Sequence, residues 1–165
     1  MNISHIKDLA EQYAKNNDIP NMIKHYELAI ETCDVISMNK LGIYYYNKND
    51  YYNMMKYYMM AIERNYNISM YNISLYYERK YDYANMIKYY EMAIQNGNTY
   101  AINNLAIYYE NQNDYHNMMK YYMMGVEKEN SYTMYNLALY YKKQNDDNNM
   151  INILNWHQNM VVQML

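Results

Sequence analysis

Four histidines, one cysteine and a scatter of acids are the side chains through which this chain could bind a metal or do acid–base chemistry. His5, His25, His116 and His157 stand far apart, and none belongs to a cluster with the ligand spacing of a metal site. They read as surface or packing histidines. Gly42, Gly97 and Gly125 are too dispersed for a phosphate-cradling loop. The few serines occupy helix-start or packing positions, so no Ser-His-Asp arrangement can be drawn. The expectation is a protein without enzymatic activity, cofactor or metal.

Recognition by hydrogen bonding and stacking is better provided for. The chain has 27 Tyr, and Asn is about as abundant. An Asn amide carries both donor and acceptor and can pair with one peptide unit. These residues recur on a fixed interval. Asn-Met-(Ile/Met)-Lys-x-Tyr begins at Asn21, Asn53, Asn85 and Asn117, with a decayed copy at Asn149, each 32 residues after the last. Leu9, Leu41, Ile73, Leu105 and Leu137 keep the same interval. Such a period marks a repeat architecture, in which one repeat cannot bury its apolar face alone. The repeats run over about 5–36, 37–68, 69–100, 101–132 and 133–165, a single domain spanning 1–165.

Within a repeat, apolar residues at Met70, Ile73, Tyr76 and Tyr77 predict a first helix. Met86, Ile87, Tyr90, Ala93 and Ile94 predict a second. Asp82 is placed to cap that second helix, as are Asp18, Asp50, Asp114 and Asp146 in their repeats. Pro20, two residues after Asp18, suits a first turn. Gly97 suits the left-handed residue beyond a helix end. Asn67, Thr99 and Ser131 are expected to cap first helices, with Val35 breaking that column. Ten helices in pairs predict an all-α, right-handed superhelical α-solenoid with one concave side.

Composition narrows function further. A net charge of −3 argues against a nucleic-acid footprint, which needs clustered Lys and Arg. The single Cys33 cannot form an intramolecular disulfide, which fits a reducing compartment. No secretory signal pattern opens the sequence and no apolar run approaches bilayer length, so a cytoplasmic protein without membrane contact is expected. The Asn-Ile-Ser sequons at Asn2, Asn67 and Asn72 follow from abundant Asn. Tyr, Asn, Ile, Lys and Met have AT-rich codons; the absence of Phe has no such account.

At these residues the chain resembles the tetratricopeptide repeat and its relative, the Sel1-like repeat. The first-helix pattern reads Leu41-Gly42…Tyr45, Ile73-Ser74…Tyr77, Leu105-Ala106…Tyr109 and Leu137-Ala138…Tyr141, after Leu9-Ala10…Tyr13. The second-helix pair reads Tyr26 and Ala29, Tyr58 and Ala61, Tyr90 and Ala93, Tyr122 and Gly125. Met22, Met54, Met86, Met118 and Met150 stand where that family usually has a small residue. The compositional style resembles repeat proteins of large AT-rich DNA viruses and protists. The resemblance implies a binding role, with first helices lining the concave side.

That register places Asn39, Tyr71, Asn72, Asn103, Asn104, Tyr135 and Asn136 toward the groove. Asn72, Asn104 and Asn136 would form a ladder along an extended protein or peptide partner. The register also puts Lys40, Ile43, Tyr46, Ile68, Leu75, Glu78, Tyr100, Ile107, Glu110, Tyr132, Leu139 and Lys142 on this side. Carboxylate-clamp relatives are disfavoured, because Glu11, Ile68 and Asn72 stand where Asn and two cations are expected. The Lys column, Lys24, Lys56, Lys88 and Lys120, reads as a solvated ridge. The Tyr column represented by Tyr77 is expected between neighbouring repeats. At the C-terminal end Trp156, Met160, Val161, Met164 and Leu165 suggest an association surface or a fold-back. A protein-binding scaffold leads, ahead of an assembly subunit joined through that end and of a single-stranded RNA binder.

Overall fold

The computed structural model describes residues 2–163, and the side chains of these except 157 and 159–163. The helices are α1 Ile3–Lys15, α2 Ile19–Ile30, α3 Val35–Asn47, α4 Tyr51–Ile62, α5 Asn67–Arg79, α6 Tyr83–Gln95, α7 Thr99–Asn111, α8 Tyr115–Glu127, α9 Ser131–Lys143 and α10 Asp147–Gln163. First helices begin at 3, 35, 67, 99 and 131, and second helices at 19, 51, 83, 115 and 147, the 32-residue interval throughout. The class is an all-α helical repeat. The helices fall into two compact bodies, Met1–Asn96 and Gly97–Leu165. The N-terminal body holds α1 to α6 and the C-terminal body α7 to α10.

Local chemistry sets the helix boundaries. Asp18, Asp50, Asp82 and Asp114 accept the backbone N–H of the residue three ahead, and Asp146 does the same for Asn149. The repeated Asn has a second use. Asn53, Asn85 and Asn117 donate side-chain N–H groups to the other oxygen of the cap carboxylate at 2.7 Å. Each carboxylate thus takes two donors at a helix start. These bonds hold Asp50, Asp82 and Asp114 below the usual aspartate range, the Asn side chain contributing most.

First-helix caps lie one residue earlier than expected. Asn2, Asp34, Asn98 and Asn130 accept from Ser4, Ser37, Ala101 and Thr133, while Tyr66 caps without a side-chain bond. Asn67, Thr99 and Ser131 are instead first residues of their helices. The second repeat, whose start looked weakest from Val35, is well capped. The preceding turn makes the difference: a left-handed residue at Cys33, Asn65, Gly97 or Glu129 redirects the chain one step before the cap.

Each body has its own core. In the N-terminal one Met38, Leu41, Met54, Met70, Ile73, Met86 and Tyr90 are buried, and in the C-terminal one Leu105, Met118, Tyr122, Met134 and Leu137. The repeated methionines Met54, Met86 and Met118 therefore fill the helix–helix space. Close approach falls to the small columns instead: a Cβ added at Gly42 would stand 2.4 Å from the Tyr58 ring, and one at Gly125 2.2 Å from Thr133.

Two side-chain placements add to what was expected. Tyr77 is half-buried, not fully buried, and lies parallel to Tyr89 of its own repeat, centroids 5.6 Å apart. In the same column Tyr45 also packs on the core of the preceding repeat, and Tyr141 donates to Met119 of the repeat before its own. Tyr45 on Tyr57 and Tyr109 on Tyr121 repeat the stack. The Lys column is exposed, yet Lys56, Lys88 and Lys120 each lie about 5 Å above the ring of the following Tyr. In each of these repeats the second-helix tyrosine thus meets both a lysine and a first-helix tyrosine.

Candidate functional site

The first helices carry the polar and aromatic side chains with the best claim to recognition. Ile36, Ile43, Ile68, Tyr100, Tyr132, Tyr135 and Leu139 are exposed. The asparagines behind them are paired. Asn39 is buried, and its Oδ1 accepts from Ser69 Oγ at 3.0 Å and from Asn72 Nδ2 at 2.9 Å. In the C-terminal body Asn136 Nδ2 donates to Asn103 Oδ1 at 2.8 Å. Asn39 is thus a joint between repeats and not an open-face residue. Burial of a polar group demands a partner, and the next repeat supplies it. Asn72, Asn103, Asn104 and Asn136 are half-buried, as is Tyr71, whose ring lies 5.9 Å from Tyr90.

The buried second-helix tyrosines send their hydroxyls toward the same face. Tyr26 donates to Glu11 at 2.9 Å, Tyr90 to Glu78 at 2.9 Å and Tyr122 to Glu110 at 2.7 Å. Burial first, then the carboxylate partner, pushes the hydroxyls of Tyr26 and Tyr122 far above the ordinary tyrosine range. Tyr58 meets no such carboxylate. Its ring is buried, and burial pushes the hydroxyl well above the ordinary tyrosine range. Asn72 donates to Asn39 of the preceding repeat, which ties an asparagine of the expected ladder to packing between repeats.

Beside Tyr58 lies a cleft of about 280 Å³ between α3 and α5, lined by Ile43, Tyr46, Asn72, Leu75, Tyr76 and Arg79 among others. It runs into a second hollow of about 430 Å³ where Tyr46, Asn49, Tyr51, Tyr76, Arg79 and Lys80 converge. Arg79 donates to the Tyr46 hydroxyl and stands over its ring. Lys80 Nζ is 4.6 Å from the Tyr51 ring centroid. The C-terminal body has a hollow of about 300 Å³ lined by Glu110, Asn111, Asn113, Tyr115, Tyr140, Lys143 and Gln144. There Lys143 Nζ meets Glu110 Oε1 at 3.2 Å.

Arg79, Lys80, Tyr58 and Lys143 were absent from the sequence-derived site. A signal for them exists in a second, longer period. Asn53 to Met60 is identical to Asn117 to Met124, 64 residues on, whereas Asn21 and Asn85 open the other version, Asn-Met-Ile-Lys. Odd and even repeats are of two kinds.

At the C-terminal end Ile151, Leu154 and Trp156 of α10 are exposed, at 49%, 42% and 46%. The side chains of Met160 and Val161, together with Met164 and Leu165, lie outside the described residues. Among the described residues no three His, Cys, Asp or Glu side chains are grouped to hold a metal ion. No helix among them is long and apolar enough to cross a membrane.

Solved structures share this fold. A Sel1 repeat protein from Oxalobacter formigenes superposes with a TM-score of 0.75 at 18% identity, over 95% of this chain and 71% of that one. The MamA protein superposes with a TM-score of 0.61 at 12% identity, over 94% of this chain and 89% of that one. No protein-family profile and no curated protein matches the sequence. At these identities the likeness is one of fold alone, an all-α helical repeat.

Proposed function

We propose that the chain is a non-enzymatic protein-interaction scaffold whose first-helix face holds an extended segment of a partner. One observation carries the reading. Tyr100, Tyr132 and Tyr135 are exposed at 59%, 64% and 60% on first helices, beside half-buried asparagines. Tyrosine supplies large contact area at low entropic cost, and clustered exposed aromatics are typical of binding faces. In the C-terminal body Asn104 and Asn136 are assigned the backbone of a bound segment and Tyr135 a side chain; in the N-terminal body Asn72 and Tyr71 are assigned the same two roles. Asn39 positions Asn72 and Asn103 positions Asn136, because each accepts from the amide of the next repeat.

The test is selection of binding peptides from a random display library, followed by affinity measurement on face variants. Tyr132→Ala with Tyr135→Ala is expected to weaken a selected peptide about tenfold or more, the scale of a hot-spot aromatic. Lys88→Ala, exposed on a second helix, is expected to leave it unchanged. Peptides that respond to Lys88 and ignore the tyrosines would place binding elsewhere.

A second reading, assembly through the C-terminal end, rests on the exposed Ile151, Leu154 and Trp156. Sedimentation against concentration, with and without residues 156–165, separates it: a monomer under both conditions removes it.

A further inference from the structure

We propose that the N-terminal cleft takes a carboxylate side chain from a partner protein, held by Arg79 and Lys80. This rests on the first-helix face being a binding surface and specifies one chemistry for it. Positions 46, 47, 49, 51, 76, 79 and 80 line the N-terminal hollow, and the positions 64 further on, 110, 111, 113, 115, 140, 143 and 144, line the C-terminal one. The same place in the repeat is built twice. In the C-terminal copy a carboxylate of the chain itself occupies it. Glu110 takes Lys143 on one oxygen and the Tyr122 hydroxyl on the other. In the N-terminal copy that position is Tyr46, while the cationic side is strengthened, with Arg79 for Lys143 and Lys80 for Gln144.

Arg79 and Lys80 take no part in the ion pairs among the described residues, which are Lys7–Asp34, Lys40–Glu11, Arg64–Glu63 and Lys143–Glu110. Their observed partners are a phenol oxygen and tyrosine rings. These hold a cation less strongly than a carboxylate does. Acids on the adjoining segments are engaged elsewhere. Asp50 caps α4 through Asn53, and Glu78 accepts from Tyr90. A guanidinium has five donors in a rigid fork, so one bond to Tyr46 leaves a carboxylate-matching edge. Ile43, Leu75 and Tyr76 extend the cleft as an apolar strip, suited to the residues flanking an acidic one in a protein segment.

The test titrates isotope-labelled protein with the blocked peptide acetyl-Ser-Glu-Leu-Glu-Ser-amide and with its Gln counterpart, following backbone amide shifts at low salt. Saturable shifts at Tyr46, Tyr76, Arg79 and Lys80 are expected, with affinity about tenfold lower for the Gln peptide, the scale of hydrogen bonds to charged groups. Arg79→Gln with Lys80→Gln is expected to cause a similar loss. So is Tyr46→Glu, which copies the C-terminal arrangement and supplies an internal carboxylate. Lys143→Gln should leave affinity unchanged. Equal binding of both peptides at these amides overturns the charge selection while leaving a binding face in place. Absence of saturable shifts, or indifference to both the double variant and Tyr46→Glu, overturns the site itself.

Discussion

The N- and C-terminal clefts differ at three of their seven lining positions: Tyr46 for Glu110, Arg79 for Lys143 and Lys80 for Gln144. The backbone frame is common, including the tyrosines Tyr51 and Tyr115, Tyr76 and Tyr140. What changes is the acceptor: a carboxylate stands at position 110 and a tyrosine at position 46. Glu110 serves Tyr122 and neutralises Lys143 at once. In the other body position 46 is a tyrosine, Tyr58 meets no carboxylate, and two cations face aromatic rings. A repeat array copies places, not partners. Divergence at one acceptor alters the charge of a whole cleft without disturbing the helices.

The largest test asks whether the common frame is common in energy. Tyr58→Ala and Tyr122→Ala should each cost about 3–5 kcal/mol in urea unfolding, the range for deleting a buried aromatic. A much smaller loss at either site would mean that the two cores are not equivalent. Tyr77→Ala, at a half-buried stack, should cost less, about 1–3 kcal/mol.

The hydroxyls alone should separate the clefts. Tyr122→Phe removes a bond to an ionised group and should cost about 1.5–3 kcal/mol, whereas Tyr58→Phe has no such bond to lose and should cost less than about 1 kcal/mol. Equal losses, measured by the same unfolding curves, would break the comparison.

Smaller still is the ion pair. Lys143→Gln should cost about 0–1 kcal/mol at low salt and less at high salt, because the lysine is well exposed. Arg79 takes part in no ion pair among the described residues, so the effect of Arg79→Gln should be nearly independent of salt.

The least difference is expected in acid, since the Asp–Asn caps are alike in both bodies. Asp50, Asp82 and Asp114 are held below the usual range by Asn53, Asn85 and Asn117. A lowered folded-state value makes their contribution fully present above the ordinary aspartate range, about pH 4. It is lost as pH falls through the folded values. Asn53→Ala and Asn117→Ala should flatten this acid dependence to the same degree in thermal melts from pH 7 to pH 2. A larger change for one would show that the caps also sense their different clefts.

Helix count, helix register and second-helix caps were legible in the residue order, because each rests on interactions within a few residues along the chain. Asp at every second-helix start and Gly97 beyond α6 act locally, and the 32-residue interval carries them unchanged from repeat to repeat. The small columns, such as Gly42, were legible too, since close approach admits little else. Partner choice across repeats was not legible. Asn39 looked like an open-face residue until the fold placed Ser69 and Asn72 against its oxygen. Tyr77 found its stacking partner within its own repeat, and Lys88 settled over a ring. The charges of the clefts depend on residues some 30 positions apart, Tyr46 with Arg79 and Glu110 with Lys143, so only packing of one first helix on the next brings them together. Sequence spacing sets which face a side chain takes along its helix; what it meets there is decided by the neighbouring helix, through burial and the need of each buried polar atom for a partner.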